Sequence, residues 1–471
     1  MSRTAADPSV RRSYADASWT PFWLDAPDRL AARPPLEGDL TVDLAIIGAG
    51  YTGLWAALQA LEERPGRDMV VLEAERVAFG GSGRNGGFCE ASLTHGLHNG
   101  LDRFPGEIRD LEREGRESYE ALIATLDRHA IDCAFEPTGT LVAATEPHEV
   151  AWCHEAVADM TPYGYDVTFL DRDRVRAEID SPTFLAGFWR TDAGAVIDPA
   201  RLAWGLASAA ESLGARIHEG TPVSSIRDDD ATVLLETPTG RVRARRVIVG
   251  TNAFPPLVRE IRRYVLPVYD YVLTTEPLTP AQRADLRWAN RQGLADMANR
   301  FHYSRLTADD RILWGGYDAV YHWRNGVDPA HERRDRTYAL LASQFADTFP
   351  QLVGIRFTHA WAGAIDTCSR FSVFFGRRMD GKLAYAAGYT GLGVGATRWG
   401  ARVCLDLVDG RDTARTRLRL VRKKPIPFPP EPFRSAGVWI TKRALARADR
   451  RQGRRGLWLK LLDAVGLGFD S

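Results

Sequence analysis

Cysteine is scarce in this chain: five in 471 residues (Cys89, Cys133, Cys153, Cys368, Cys404), with no C-x-x-C pair among them. That argues against a disulfide framework and fits reduced thiols in a cytosolic protein. The ten histidines show no H-E-x-x-H spacing, and no metal site is expected. Net charge is missing too. Lys+Arg (61) and Asp+Glu (61) cancel, which excludes nucleic-acid binding through bulk charge. The start, MSRTAADPSVRRSYADASW, has no apolar stretch of the secretory kind. The uncharged run Leu44–Leu61 contains three glycines, a Thr and a Gln, so it reads as strand, tight turn and helix rather than a membrane span. The expectation is a cytoplasmic protein without a transmembrane segment.

The composition is that of a globular chain, 45% apolar and 26% charged. At about 150 residues per domain, 471 residues make two or three domains with ample core. Charge is unevenly spread. From Arg411 to Ser471 there are 16 Lys/Arg against 5 Asp/Glu, so a basic tail of +11 follows a body of −11. There are no internal repeats, and the Pro-rich stretch Pro425–Pro432 is the one biased segment. Parts of Trp439–Phe469 read as helix with Trp and Leu along one face. Such a helix could lie on anionic lipid, or pack on the body or on a second subunit; packing is the expectation.

The chemistry begins at Val42–Ile47, an apolar strand that runs into Gly48-Ala-Gly50-Tyr-Thr-Gly53 and an Ala/Leu-rich helix to about Glu63. A second strand, Met69–Leu72, closes on Glu73. This is a β-α-β unit carrying G-x-G-x-x-G at the head of its helix. The first glycine makes the turn, the second admits a pyrophosphate to the backbone, and the third allows close helix–strand packing. Glu73, twenty residues beyond Gly53, is placed to accept ribose hydroxyls. Two further glycine clusters point to a flavin. Gly80-Gly-Ser-Gly-Arg-Asn-Gly-Gly87 follows the ribose acid closely and can set amides and Arg84 against a flat ring and its pyrophosphate. Near the other end of the body, Tyr389-Thr-Gly-Leu-Gly-Val-Gly395 opens a helix after the strand Leu383–Gly388. Its amides and helix dipole suit the negative charge of a reduced flavin's N1/C2=O edge.

The segments DLAIIGAGYTGLWAALQAL, VVLEAE, GGSGRNGGF, RRVIVGTNAF, HAWAGAID and LAYAAGYTGLGVGATRWGAR resemble the D-amino-acid oxidase superfamily of FAD enzymes. The resemblance spans roughly residues 19–410 and is nearest its γ-glutamylputrescine oxidoreductase-like and glycine–sarcosine oxidase-like members. It implies an α/β fold with a discontinuous Rossmann-like FAD domain (41–100, 195–255, 356–410) and a substrate domain (101–194, 256–355) built on a mixed, largely antiparallel sheet. An N-terminal arm (1–40), anchored by Trp19, Phe22 and Trp23, and the basic extension (411–471) flank them. The expected cofactor contacts are Gly48, Gly50, Tyr51, Thr52, Gly53, Glu73 and Ala74 in the first unit. They continue with Ser82, Gly83, Arg84, Asn85, Gly86 and Gly87, then Val223, Thr251, Asn252, Trp361, Gly388, Gly391, Leu392, Gly393 and Val394.

The family reaction takes hydride from a carbon beside nitrogen to flavin N5, and water hydrolyses the imine. Two departures from the family pattern bear on substrate and oxygen. Where glycine and D-amino-acid oxidases carry a carboxylate-clamping arginine after W-x-G, this chain aligns Ile365, followed by Asp366. An acid there favours a cationic amine; the plain alternative is that Asp366 caps a turn or pairs with Arg370. Gly363 stands where sarcosine-oxidase relatives link the flavin to cysteine, so FAD is expected to be non-covalent. Trp314 aligns with their oxygen-activating lysine, which puts rapid use of O2 in question. Asp366, Tyr269 and Tyr303 are the expected substrate contacts, and Tyr271 and His302 lie with these tyrosines on the alternating strands that wall the site. The reading is an FAD-dependent amine oxidoreductase passing electrons to O2 or another acceptor. An amino-acid dehydrogenase with a non-oxygen acceptor and a non-catalytic electron-transfer flavoprotein are the alternatives.

Overall fold

The computed structural model describes residues 7–192 and 194–467. Leu40–Ile47, Met69–Leu72, Arg216–His218, Arg241–Val249 and Leu383–Ala387 form the parallel heart of an eight-stranded sheet. Phe374–Arg378 adds an antiparallel edge, and the hairpin strands Ser225–Asp229 and Thr232–Glu236 extend Arg241–Val249. Leu44, Ala45 and Ile46 are fully buried, as expected of a parallel strand covered on both faces. The helix Tyr51–Glu63 packs on this sheet between the helices Pro199–Ser212 and Gly393–Val408.

Register decides where the ligand crevice lies. Ile47 sits beside Leu72 on one side and Val249 on the other, and Val249 sits beside Tyr385. Gly48, Glu73 and Gly250 therefore emerge together at the carboxyl edge of the sheet, where open α/β sheets bind ligands.

The second sheet has nine strands, antiparallel except where Thr140–Ala144 runs beside Gly293–Asp296. Its long strands Leu266–Thr275 and Phe357–Thr367 pair along ten positions. Two domain boundaries read from sequence shift here. Residues 357–367, expected in the FAD domain, hydrogen-bond to the substrate sheet. The helix Ile108–Arg128, expected with the substrate domain, buries Leu111, Tyr119, Leu122 and Leu126 in the core beneath the nucleotide sheet. Its apolar residues recur at three- and four-residue spacing, so the face they form must go to whichever core lies next to it.

The N-terminal arm is laced to the body as expected. Ser18 donates to Thr358 O at 2.8 Å, and Trp23 is buried, while Trp19 remains partly exposed with its edge on Tyr338. Beyond the short helices Ala414–Arg417 and Arg419–Arg422, the tail ends in two longer ones, Phe433–Asp449 and Leu457–Ala464, which pack on the substrate domain. Asp449 meets Asn299 at 2.8 Å and Arg300 at 3.0 Å, Lys442 pairs with Asp318, and Glu431 accepts from Tyr321 at 2.6 Å. Among the described residues no helix is long and apolar enough to cross a membrane.

Candidate active site

A cavity of about 1270 Å³ runs from the carboxyl edge of the parallel sheet to the floor of the antiparallel one. It exceeds the roughly 300–1,000 Å³ of a drug-sized ligand's pocket, so a dinucleotide and a second small molecule fit side by side. At its nucleotide end the turn after the first strand is made possible by missing side chains. Gly48 has φ +102°, and a Cβ there would stand 2.7 Å from Gly250 O. A Cβ on Gly53 would stand 1.9 Å from Gly48 O, so helix and strand could not approach as they do. The Ser82 hydroxyl accepts from Tyr51 N–H, in the first turn of the helix, at 2.9 Å and brings the glycine loop to the helix N-terminus. Glu73 accepts from Ala49 N–H at 2.7 Å and Glu75 N–H at 3.0 Å; burial raises its pKa, and these N–H bonds oppose the rise.

Two indoles fix the glycine loop. Trp23 of the arm donates to Asn85 O at 2.9 Å, and Trp361 donates to Arg84 O at 3.0 Å. Within the loop the Asn85 amide donates to Gly81 O and its Oδ1 accepts from Gly87 N–H at 2.8 Å. On the opposite wall the Asp366 carboxylate accepts from Gly388 N–H at 2.6 Å and Thr390 N–H at 3.4 Å. It thereby pins the turn that opens the helix Gly393–Val408. Burial pushes Asp366 up to about 6, and the backbone donors hold it from rising further.

Of the expected cofactor contacts, Gly48, Gly50, Tyr51, Thr52, Glu73, Ala74, Ser82, Arg84, Asn85 and Gly86 line this cavity. So do Val223, Thr251, Asn252, Gly391, Leu392, Gly393 and Val394. Gly53, Gly83, Gly87, Trp361 and Gly388 do not. They face packed protein instead: Gly48 O, Leu24, Ile197 O, Arg84 O and Phe374 respectively, and they shape the cradle from behind. Arg84 lines the wall, yet its guanidinium is committed to Glu332 (2.5 Å), Phe79 O (2.8 Å) and Ala362 O (3.0 Å).

The substrate contacts need larger corrections. Asp366 is engaged by backbone donors and braces the glycine turn. It does not pair with Arg370, whose donors go to the carbonyls of Ser372, Val373, Leu420 and Lys423. Tyr269 points to the far face of its sheet, where its hydroxyl exchanges hydrogen bonds with the Asp328 backbone at 3.0 and 3.2 Å. Tyr271 shares that face, against Tyr338. Because side chains alternate along a strand, the intervening residue Asp270 faces the cavity, with Val268 and Leu266. Tyr303 also faces it, and its phenol donates to Asp270. His302 is on the far face, stacked between Trp314 and Tyr317 with Nδ1 2.6 Å from Asp296. Trp314 lies in that same core, donating to Leu341 O at 3.1 Å. Position 365 is on the cavity wall as Ile, and the Cys368 thiol nearby is directed at Ser372 O and Gly388 O.

Asp270 is a buried acid on the cavity wall that sequence reading missed. Burial raises it to about 6, opposed by hydrogen bonds from Tyr303 and from the backbone N–H groups of Tyr271 and Gly316. No sequence motif marks it; only strand parity could have, once the cavity side was known. The tail supplies the remaining wall through Arg434, Val438, Lys442 and Leu445. No group of residues suited to hold a metal occurs among the described residues.

A parallel-sheet dinucleotide cradle with three glycine-rich turns, opening onto an antiparallel sheet with a buried acid, defines a flavin-dependent oxidoreductase. Comparison with known proteins gives the particular group. The chain belongs to the DAO family of FAD dependent oxidoreductases, whose model matches residues 43–407. It is 32% identical over 398 residues to the gamma-glutamylputrescine oxidoreductase of Escherichia coli, covering 83% of this chain and 88% of that protein. A probable oxidoreductase, OrdL, of Rhizobium meliloti is 28% identical over 436 residues, 91% and 97% of the two chains. Among solved structures, glycine oxidase from Geobacillus kaustophilus superposes with a TM-score of 0.68 at 18% identity, over 82% of this chain and 99% of that one. This is an enzyme whose cofactor is FAD.

Proposed function

We propose that the chain oxidises the C–N bond of an amine of the polyamine, γ-glutamyl amine or secondary-amine kind. The observation that carries this reading is the buried Asp270 carboxylate at the substrate end of the cavity, with Ile365 where an amino-acid oxidase carries its clamping arginine. A carboxylate in a poorly solvated wall attracts an ammonium and repels another carboxylate. The similarity to a protein named for γ-glutamylputrescine supports an amine over a simple α-amino acid.

Above about pH 6 Asp270 is ionised and can hold a substrate ammonium or take its proton, leaving the neutral nitrogen that oxidation requires. Tyr303 keeps the carboxylate aimed into the cavity. Glu73, the N-terminus of Tyr51–Glu63 and the glycine loop would hold the ribose and pyrophosphate of FAD. The turn pinned by Asp366 would receive the polar edge of its ring. Bound FAD supplies the acceptor for the hydride that leaves the carbon beside nitrogen. The apolar wall around Asp270, built from Leu266, Val268 and the tail, excludes water from that step.

A dehydrogenase using an acceptor other than oxygen is the second reading. Lys442 is the one lysine on the cavity wall among the described residues, and Asp318 holds it. Anaerobic addition of polyamines, γ-glutamyl amines and N-methyl amino acids to the yellow holoenzyme tests both. Bleaching of the oxidised flavin band by an amine, with fast recovery in air, supports an oxidase; slow recovery supports the dehydrogenase. Bleaching by simple α-amino acids alone overturns the amine reading. No bleaching by any compound favours the non-catalytic flavoprotein.

A further inference from the structure

We propose that the C-terminal helices Phe433–Asp449 and Leu457–Ala464 are a docking surface for an anionic lipid bilayer, held at the wall of the substrate cavity. Their inner side is accounted for: Arg434, Leu445, Ala448 and Leu459 are buried, and the Trp458 indole ties the two helices together through Thr441 at 2.9 Å. Their outer side is not. Twelve large apolar side chains are exposed among the described residues, and six of them lie between Phe433 and Val465. Phe433 and Ile440 border the cavity, but Trp439 (56% exposed), Leu457 (89%), Leu461 (55%) and Val465 (49%) do not. Holding such residues in water stabilises nothing in the fold, and a cluster of them marks a surface that binds something else.

Charge identifies the occupant. Residues 433–467 contain nine Lys/Arg and two Asp. Asp449 turns inward to Arg300 at 3.0 Å and Asp463 pairs with Arg455 at 2.8 Å, so both acids are matched and the surface is left net cationic. Arg443, Arg447, Arg450, Arg451, Arg454 and Lys460 are exposed. On the first helix Trp439, Arg443, Arg447 and Arg450 follow at four- and three-residue steps, are exposed and stand off the cavity wall, so an aromatic ring and basic groups share one outward stripe. Arg443 lies flat on Trp439, 3.6 Å from the ring centroid. Protein interfaces gather apolar groups at a core depleted of charge, whereas here Arg443 stacks on the outward Trp439 and the exposed Lys460 follows Leu457 by three residues on one helix. Interleaved Trp, Leu and Arg suit the headgroup boundary, where long cations reach phosphate while the apolar parts enter the acyl region. The tail lies beyond the residues matched by the family model, so this surface is an addition to the flavin fold.

Co-sedimentation of the holoprotein with vesicles tests the proposal. Vesicles of mixed phosphatidylglycerol and phosphatidylcholine are expected to capture about tenfold more protein than phosphatidylcholine alone. Binding should weaken as salt rises from about 0.1 M to 1 M, where the Debye length falls from about 10 to 3 Å. The variant Trp439→Ala/Leu457→Ala/Leu461→Ala should lose capture yet stay yellow, since none of the three lines the cavity. A second variant, Arg447→Gln/Arg451→Gln/Lys460→Gln, should lose the preference for anionic lipid. Capture and anionic preference as strong in both variants as in the wild type, or no capture of the wild type, overturns the proposal. A concentration-dependent dimer that the triple alanine variant abolishes, without vesicle capture, also overturns it and assigns the surface to a second copy of the chain.

Discussion

The phenol of Tyr303 reaches the carboxylate of Asp270 by crossing an entire strand, and it can do so because the residue beneath it is Gly315. A Cβ on Gly315 would lie 2.5 Å from the Tyr303 ring. One glycine thus sets the reach of the tyrosine and, through it, the aim of the carboxylate that faces the substrate end of the cavity.

Asp270→Asn should raise KM for a cationic amine tenfold or more, since about 1.4 kcal/mol is one decade. The protein should remain yellow, because Glu73 and the turn pinned by Asp366 keep their own partners in this variant. Steady-state kinetics with the best amine of the panel checks this; an unchanged KM removes Asp270 from substrate binding.

The wild-type kcat/KM should climb with pH through about 6 as the buried Asp270 ionises. Tyr303 donates a hydrogen bond that stabilises the anion, so Tyr303→Phe should move this limb to higher pH. Asp270→Asn should abolish it. A limb that stays in place in both variants belongs to another group.

Asp366→Ala leaves the N–H groups of Gly388 and Thr390 without their acceptor, at a cost of about 1–3 kcal/mol. Looser FAD binding should accompany it, because the turn it pins lines the cavity. Flavin fluorescence released on dilution, together with the melting temperature, measures both effects.

Asp366→Asn gives a different result, with a sign fixed by linkage. The folded-state pKa, about 6, lies above the ordinary 3.8, so the aspartate's contribution to stability is fully present below about pH 3.8 and is lost as pH rises through 6. The stability of the asparagine variant relative to wild type should therefore increase from pH 4 to pH 7. A constant difference across that range means the carboxylate titrates normally.

The nucleotide half of the site was legible because its signals are local. Gly48, Gly50, Gly53 and Glu73 sit at fixed spacings on one strand–helix–strand unit, and each spacing has a geometric cause. The substrate half depends on parity and on distant contacts. Tyr269 and Asp270 are one residue apart, and nothing in the sequence says which of them the sheet turns toward the cavity. Asp366 stands where an acid could meet an amine, but Gly388 and Thr390, more than twenty residues on, claim it first. The same distance effect displaced the domain boundaries, since Phe357–Thr367 has no feature that separates a strand of one sheet from a strand of the other.

The parallel sheet described above has an unusual order of assembly. Leu40–Ile47 lies between Met69–Leu72, made soon after it, and Arg241–Val249, made some two hundred residues later, while Leu383–Ala387 arrives last of all. During synthesis the nucleotide cradle is therefore a half-sheet with an open, largely apolar edge until most of the chain has emerged. Pairings so distant in sequence close slowly. Such an exposed edge invites pairing with other chains, so the yield of folded protein should depend more on temperature and chaperone supply than on FAD.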